Sequence, residues 1–217
     1  MKVFALIAVI FLLTPVIAQE MTEQQRQEIL ANLFRAGIFC ILSAGEMYIK
    51  HKKIYDNLTI NELDTPEAII DPKNAESIYF MTDTAIYPRR KQERLFKFAE
   101  WWPKSQLSEL LLEDIANSRK KEFTLRDEFA KKAPGFGNKC ASLFMTLCGY
   151  ENVAVLDLWA LRFMGYEAEG GLRQMDYLEK EEKFQEKAQS MDLTPAQLHR
   201  LIWCKNSTWK KVRRKSI

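Results

Sequence analysis

Lys139 and Asp157 are the residues whose types and spacing first point to chemistry. They lie 157 − 139 = 18 positions apart, across one apolar helix-length stretch and a short connector. A lysine amine sheltered from water gives up its proton more readily and becomes a nucleophile. A carboxylate beside it can stabilise positive charge building on a sugar, or help move protons. Immediately before Lys139 stands Ala133-Pro134-Gly135-Phe136-Gly137-Asn138. Glycines at alternate positions let the backbone turn sharply and approach a ligand without Cβ interference. The helix that follows presents its first N–H groups, with their partial positive charge, toward an anion. Helix, hairpin and second helix together suit a main-chain grip on a phosphate. The residue types leave a plainer reading open: Lys139 as an exposed helix residue, Asp157 as an ordinary N-cap, and the Gly-x-Gly as a packing corner. The segment is no dinucleotide fingerprint, because no strand precedes it and the third glycine is missing. No Gly-Lys-Ser/Thr phosphate loop occurs either.

The elements that must position these residues read as helices throughout. Ile29, Leu30, Leu33, Phe34, Ile38, Phe39, Ile41 and Leu42 follow helical spacing after a polar start at Met21–Glu28. Thr65 reads as a helix cap with Pro66 at the first helical position, and Ser105 as the cap of a helix holding Leu107, Leu110, Leu111 and Ile115. Further helices are expected over Arg126–Lys132, Cys140–Leu147 and Asp157–Met164, and from Thr194-Pro195 through Leu198, Leu201, Ile202 and Trp203. No segment sustains a period of two, so the fold class is all-α. Residues 3–18 form an apolar run behind Lys2, broken only by Thr14 and Pro15. The leader 1–20 fits a secretory signal cleaved before Gln19, a buried N-terminal helix or a misassigned start; it is short for a membrane span, which needs ~20 residues.

Of 217 residues, 47% are hydrophobic, which excludes a disordered chain, and a net charge of only +3 excludes a simple polybasic protein. Any nucleic-acid role must therefore rest on where the charges sit. Arg119 to Lys139 carries 7 basic and 3 acidic residues, and Lys205 onward is basic without acids. Such clusters suit a one-faced phosphate footprint, or equally a solvated face and a tail. Cys40, Cys140, Cys148 and Cys204 are scattered and make neither a disulfide scaffold nor an iron–sulfur site, and read as core or semi-buried thiols. His51 and His199 lie too far apart for a local zinc motif, and each reads as a surface or helix residue. Trp101-Trp102 reads as packing under a loop.

Pro134 to Lys139, Ala141-Ser142-Leu143-Phe144, Gly149-Tyr150 and Val153-Ala154-Val155-Leu156-Asp157 resemble the helix-hairpin-helix DNA glycosylase superfamily. In that superfamily the hairpin ends in a catalytic lysine, and an aspartate follows at about this separation. Within it the chain is most similar to the archaeal-type 8-oxoguanine DNA glycosylase/lyases. Phe39-Cys40-Ile41-Leu42-Ser43-Ala44, Arg89-Arg90-Lys91 after Tyr87, and Leu201-Ile202-Trp203 support this.

The resemblance implies two helical lobes with the hairpin at their cleft. The domain would span 21–217, with lobe a about 48–150 and lobe b about 21–47 plus 151–217. It implies a bifunctional glycosylase/AP lyase that removes 8-oxoguanine through a Schiff base on Lys139, assisted by Asp157, and cuts the strand by β-elimination. Pro134, Gly135, Phe136, Gly137, Asn138, Arg89 and Arg90 would contact DNA, and Trp203, Phe39 and Tyr87 would line the base pocket. A core role for Trp203 is the other reading. No cofactor, iron–sulfur cluster or protein-ligated metal is implied, beyond a monovalent cation on the hairpin carbonyls. The partner would be double-stranded DNA containing oxidised purine, the state monomeric and the location with DNA inside the cell, against which the signal-like leader raises export or membrane association.

The chain departs from the family in three places. Leu158-Trp159 follow Asp157 where a basic or polar residue and a histidine are usual. Ile86 and Tyr87 stand near the place of a base-stacking aromatic, and the tail beyond Trp203 is longer and more basic. A non-catalytic helix-hairpin-helix DNA-binding module, a monofunctional glycosylase for another lesion and a secreted helical interaction protein are the alternatives.

Overall fold

The computed structural model describes residues 21–44, 48–166 and 174–213. The leader 1–20 and the last residues of the basic tail lie outside them. Every regular element among the described residues is helical, as the missing period-two pattern predicts. None of these helices is long and apolar enough to cross a membrane. By packing, the chain forms two compact units, 1–149 and 150–217.

The first unit is built on α1 (Glu23–Ser43). Thr22 starts it with a reciprocal cap: its Oγ1 accepts the Gln25 N–H at 3.2 Å, and Gln25 Oε1 accepts the Thr22 N–H at 2.9 Å. From Ile29 onward the helix is buried on nearly every side, so it serves as a central strut. Around it come α2 (Tyr48–Ile60), α3 (Pro66–Ile70), α4 (Ala75–Thr82), α5 (Pro88–Trp101), α6 (Gln106–Ala116), α7 (Glu122–Lys132) and α8 (Asn138–Leu147). Thr65 and Ser105 cap α3 and α6 as their positions predict.

α1 touches α2, α5, α6 and α8. These are all helices of the first unit. An aromatic cluster fills the space between helices. Phe34 stacks on Phe98 at 5.4 Å, and Trp102 meets Phe144 edge-on at 6.3 Å. Trp102 is buried in this inter-helix core rather than under a loop, because a 3-10 turn at Trp102–Lys104 folds it back beneath α5.

The second unit comprises α9 (Leu158–Phe163), α10 (Gln174–Gln189) and α11 (Pro195–Arg213) behind an extended connector, 150–156. Val153 to Leu156 are buried without a helix to satisfy their backbone, so side chains of α10 do so. Glu181 Oε1 accepts the Ala154 N–H at 2.9 Å. Tyr177 Oη donates to Ala154 O at 2.8 Å and accepts the Leu156 N–H at 3.3 Å. Leu156, Leu161, Phe184, Leu198 and Ile202 close the core beneath.

Candidate active site

The hairpin between α7 and α8 owes its shape to two residues with different tasks. Gly135 has φ +83°, the left-handed region that favours glycine, and a Cβ there would lie 3.0 Å from Arg94 Cβ. Phe136 then turns inward, stacking on Phe98 at 5.4 Å and meeting Phe144 edge-on at 5.5 Å. This anchors the turn to the aromatic core and makes Phe136 a packing residue as well as a hairpin residue. Gly137 lies in ordinary extended backbone at φ −139°, and a Cβ there would meet nothing within 4 Å. It precedes α8 without a side-chain cap, which leaves the first N–H groups of the helix, its positive end, uncapped by Gly137. Asn138 and Lys139 form the first turn, and both are half-buried.

Lys139 Nζ donates to Ser43 Oγ at 3.3 Å, and Ser43 Oγ in turn donates to Cys40 O at 2.8 Å. The hydroxyl proton points at the carbonyl, leaving an oxygen lone pair toward the amine. Burial pushes the neighbouring Cys40 thiol well up, with Cys140 beside it adding to the shift, and burial pushes Cys148 up as well. These thiols stay protonated at neutral pH, so neither competes with Lys139 as a nucleophile. Behind the hairpin, buried Arg126 ties α7 to α8 by donating to Ser142 Oγ at 3.3 Å. Arg126 is therefore a structural member of the basic cluster. Lys120, Lys121, Lys131 and Lys132 are exposed.

Asp157 belongs to the second unit, where it caps α9: Oδ1 accepts the Trp159 and Ala160 N–H groups, each at 2.9 Å. The cap foreseen for Asp157 is present, and so is a partner the sequence did not announce. His199 Nε2 lies 3.2 Å from Asp157 Oδ2. His199 is buried on α11, not on the surface, and faces Asp157 across 42 residues of chain. Only the packing of α11 onto the connector brings the two together, which no local spacing signals. His51 is buried too, with Phe39 and Tyr48 edge-on at 4.8 and 5.2 Å. Among the cysteines, Cys204 is exposed and the other three are buried.

Arg89 and Arg90 are exposed in the first turn of α5, whereas Lys91 is buried and donates to Leu42 O at 2.8 Å. Tyr87, just before, takes the left-handed conformation at φ 58° and stays 63% exposed, with the Arg90 guanidinium 5.7 Å from its ring centre. A strained, exposed aromatic beside two exposed arginines is a feature more often kept for binding than for folding. Phe39 is buried on α1, edge-on to Tyr55 at 5.5 Å. Trp203 is half-buried on α11. Lys139, Phe39, Tyr87, Arg89 and Arg90 thus stand in the first unit, and Asp157 and Trp203 in the second. Among the described residues no group of carboxylates, histidines and cysteines could hold a metal ion.

The family model for 8-oxoguanine DNA glycosylase matches residues 16–193, which include the hairpin, Lys139 and Asp157. The chain belongs to this family. An 8-oxoguanine DNA glycosylase/AP lyase of Korarchaeum cryptofilum is 28% identical over 142 residues, 65% of this chain and 62% of that protein's length. The 8-oxoguanine DNA glycosylase of Methanocaldococcus jannaschii superposes with a TM-score of 0.65 at 22% identity, covering 82% of this chain and 79% of that one. The enzyme from Thermotoga maritima gives 0.65 at 21% identity, covering 93% and 89%. A second M. jannaschii structure, in complex with a 15mer DNA containing 8-oxoguanine, gives 0.65 at 20% identity and covers 82% of both chains. At such identities these structures establish the fold: an all-α helix-hairpin-helix architecture shared with the family.

Proposed function

We propose that this chain is a bifunctional DNA glycosylase/AP lyase of base excision repair, acting on oxidised purine, chiefly 8-oxoguanine, in double-stranded DNA. The observation that carries the reading is Lys139 itself: a half-buried amine in the first turn of α8, behind an open hairpin, inside the stretch matched by the family model. The K. cryptofilum relative bears both activities in its name, and the M. jannaschii complex holds the lesion.

In this reading the enzyme takes the damaged nucleotide out of the helical stack, as base-modifying enzymes do. The uncapped start of α8 and the Gly137 backbone hold a phosphate through N–H groups, with Arg89 and Arg90 on neighbouring phosphates. Lys139 Nζ, as the free amine, attacks the sugar C1′; the C1′–N9 bond breaks and the base leaves with a proton. Ring opening gives the Schiff base between Lys139 and C1′. Loss of a C2′ proton then expels the 3′ phosphate by β-elimination, and water releases the lysine. Asp157 stabilises the sugar cation and accepts or returns protons. Phe39, Tyr87 and Trp203 contribute to the base pocket. Each step uses an amine and a carboxylate, so no cofactor is required; a monovalent cation on the hairpin carbonyls would only add to the phosphate grip. The protein acts as a monomer.

Borohydride trapping tests the reading, with a labelled duplex carrying one 8-oxoguanine opposite cytosine. Wild type should give a covalent band that Lys139→Gln loses. Duplex binding without trapping or base release in wild type would instead favour the non-catalytic binding module.

A further inference from the structure

We propose that His199 is a positioning residue for Asp157, holding the carboxylate in its working orientation from a helix 42 residues downstream. The inference rests on the glycosylase/lyase reading and adds to it a residue beyond the stretch matched by the family model.

An ionised carboxylate only accepts hydrogen bonds, so the His199 Nε2 that faces Asp157 Oδ2 at 3.2 Å carries the proton and donates it. The other oxygen, Oδ1, is already committed to the Trp159 and Ala160 N–H groups. The cap therefore fixes where the carboxyl sits, and His199 fixes its rotation about the Cβ–Cγ bond. Both side chains are sheltered, at 9% and 18% exposure, so water does not readily replace the bond.

His199 is itself held firmly. Glu151, at the start of the connector, takes the Thr194 hydroxyl on Oε2 at 2.6 Å and Arg200 Nη2 on both oxygens at 3.0 Å. The Glu151 carbonyl accepts the Ala196 N–H at 3.1 Å. Leu198 and Ile202, flanking His199 on the helix, are buried in the core of the second unit. Side chain, carbonyl and core thus pin α11 to the segment that leads into Asp157. Trp203 follows His199 by one helical turn, so the same clamp sets the base-pocket candidate and the carboxylate in one frame. A carboxylate that must meet a transient sugar cation gains most from such pre-set orientation.

The test is single-turnover excision of 8-oxoguanine at saturating enzyme, with duplex affinity and thermal unfolding measured in parallel. His199→Leu should slow excision roughly 10- to 100-fold while duplex affinity stays within about twofold. His199→Gln, whose amide can still donate to Oδ2, should recover most of the rate. In an Asp157→Asn background, His199→Leu should cost no further rate, because the group it positions is gone. Equal losses for Leu and Gln, or a full loss persisting beside Asp157→Asn, would overturn the proposal, as would a His199→Leu enzyme as fast as wild type. A wild type that neither excises nor forms a borohydride adduct would overturn the glycosylase/lyase reading, and the His199 proposal with it.

Discussion

Gly135 and Gly137 look interchangeable in sequence, yet the structure assigns them opposite sensitivities. Gly135 is required by the fold, since an L-residue at φ +83° is strained and its Cβ would press on the Arg94 side chain. Gly135→Ala should lower stability by about 1–2 kcal/mol, read in a denaturant titration. Gly137 has ordinary backbone and empty space around it, so nothing within the protein asks for glycine there. Gly137→Ala should melt with wild type yet bind duplex DNA several-fold more weakly, because only an approaching backbone would meet the added methyl. Equal affinity for wild type and Gly137→Ala would show that the ligand does not come to the hairpin. The same separation of tasks applies to Lys139: Ser43 aims its amine, while the buried, protonated Cys40 and Cys148 stay out of the chemistry.

Helix α5 repeats that contrast at the level of an element, within one turn. Its basic triplet splits by helical geometry: Arg89 and Arg90 face outward, and Lys91 turns into the protein to cap the last turn of α1 through Leu42 O. A charged hydrogen bond to a helix C-terminus in a buried site is worth about 1–3 kcal/mol. Lys91→Met should therefore lose stability of that order, whereas Arg90→Ala should leave the melting curve in place. Arg90→Ala should instead lower the slope of log affinity for duplex against log salt by about one. Elements were legible in the sequence wherever a cap and an apolar stripe coincided, as at Thr65-Pro66, Ser105 and Thr194-Pro195. Helix α10 was not, because the dense charges from Glu179 to Glu186 mask its apolar stripe in the sequence. Tyr177, Glu181, Phe184 and Ala188 recur along one buried face of it, and Glu181 is buried because it accepts the connector's Ala154 N–H. The hairpin between α7 and α8 was readable because its glycines and the helix after them are local in the sequence. His199 was not, since its partner is reached only through the tertiary clamp at Glu151.

For the whole molecule, buried titratable groups set the conditions it can tolerate. Burial, with the Asp64 charge nearby adding to it, pushes the Tyr55 hydroxyl from 10.0 up to about 12. Below pH 10 the phenol is protonated whether the chain is folded or not, so folding pays no penalty there. Between pH 10 and about 12 the unfolded chain gives up this proton and the folded chain keeps it. The unfolded state then binds fewer protons, and stability falls with rising pH, by at most about 1.4 kcal/mol per pH unit for one such group. Cys148, raised by burial from 9.0, adds to the decline from near pH 9, whereas the rise at Cys40 is opposed by the lowering of its hydrogen-bonded neighbour Cys140. Denaturant unfolding between pH 8 and 12 should therefore show stability flat at first and falling above pH 9. Tyr55→Phe keeps the ring against Phe39 and removes the titrating group. Its stability should fall less steeply than that of wild type above pH 10, and an unchanged slope would place the alkaline weakness in the thiols or elsewhere in the chain.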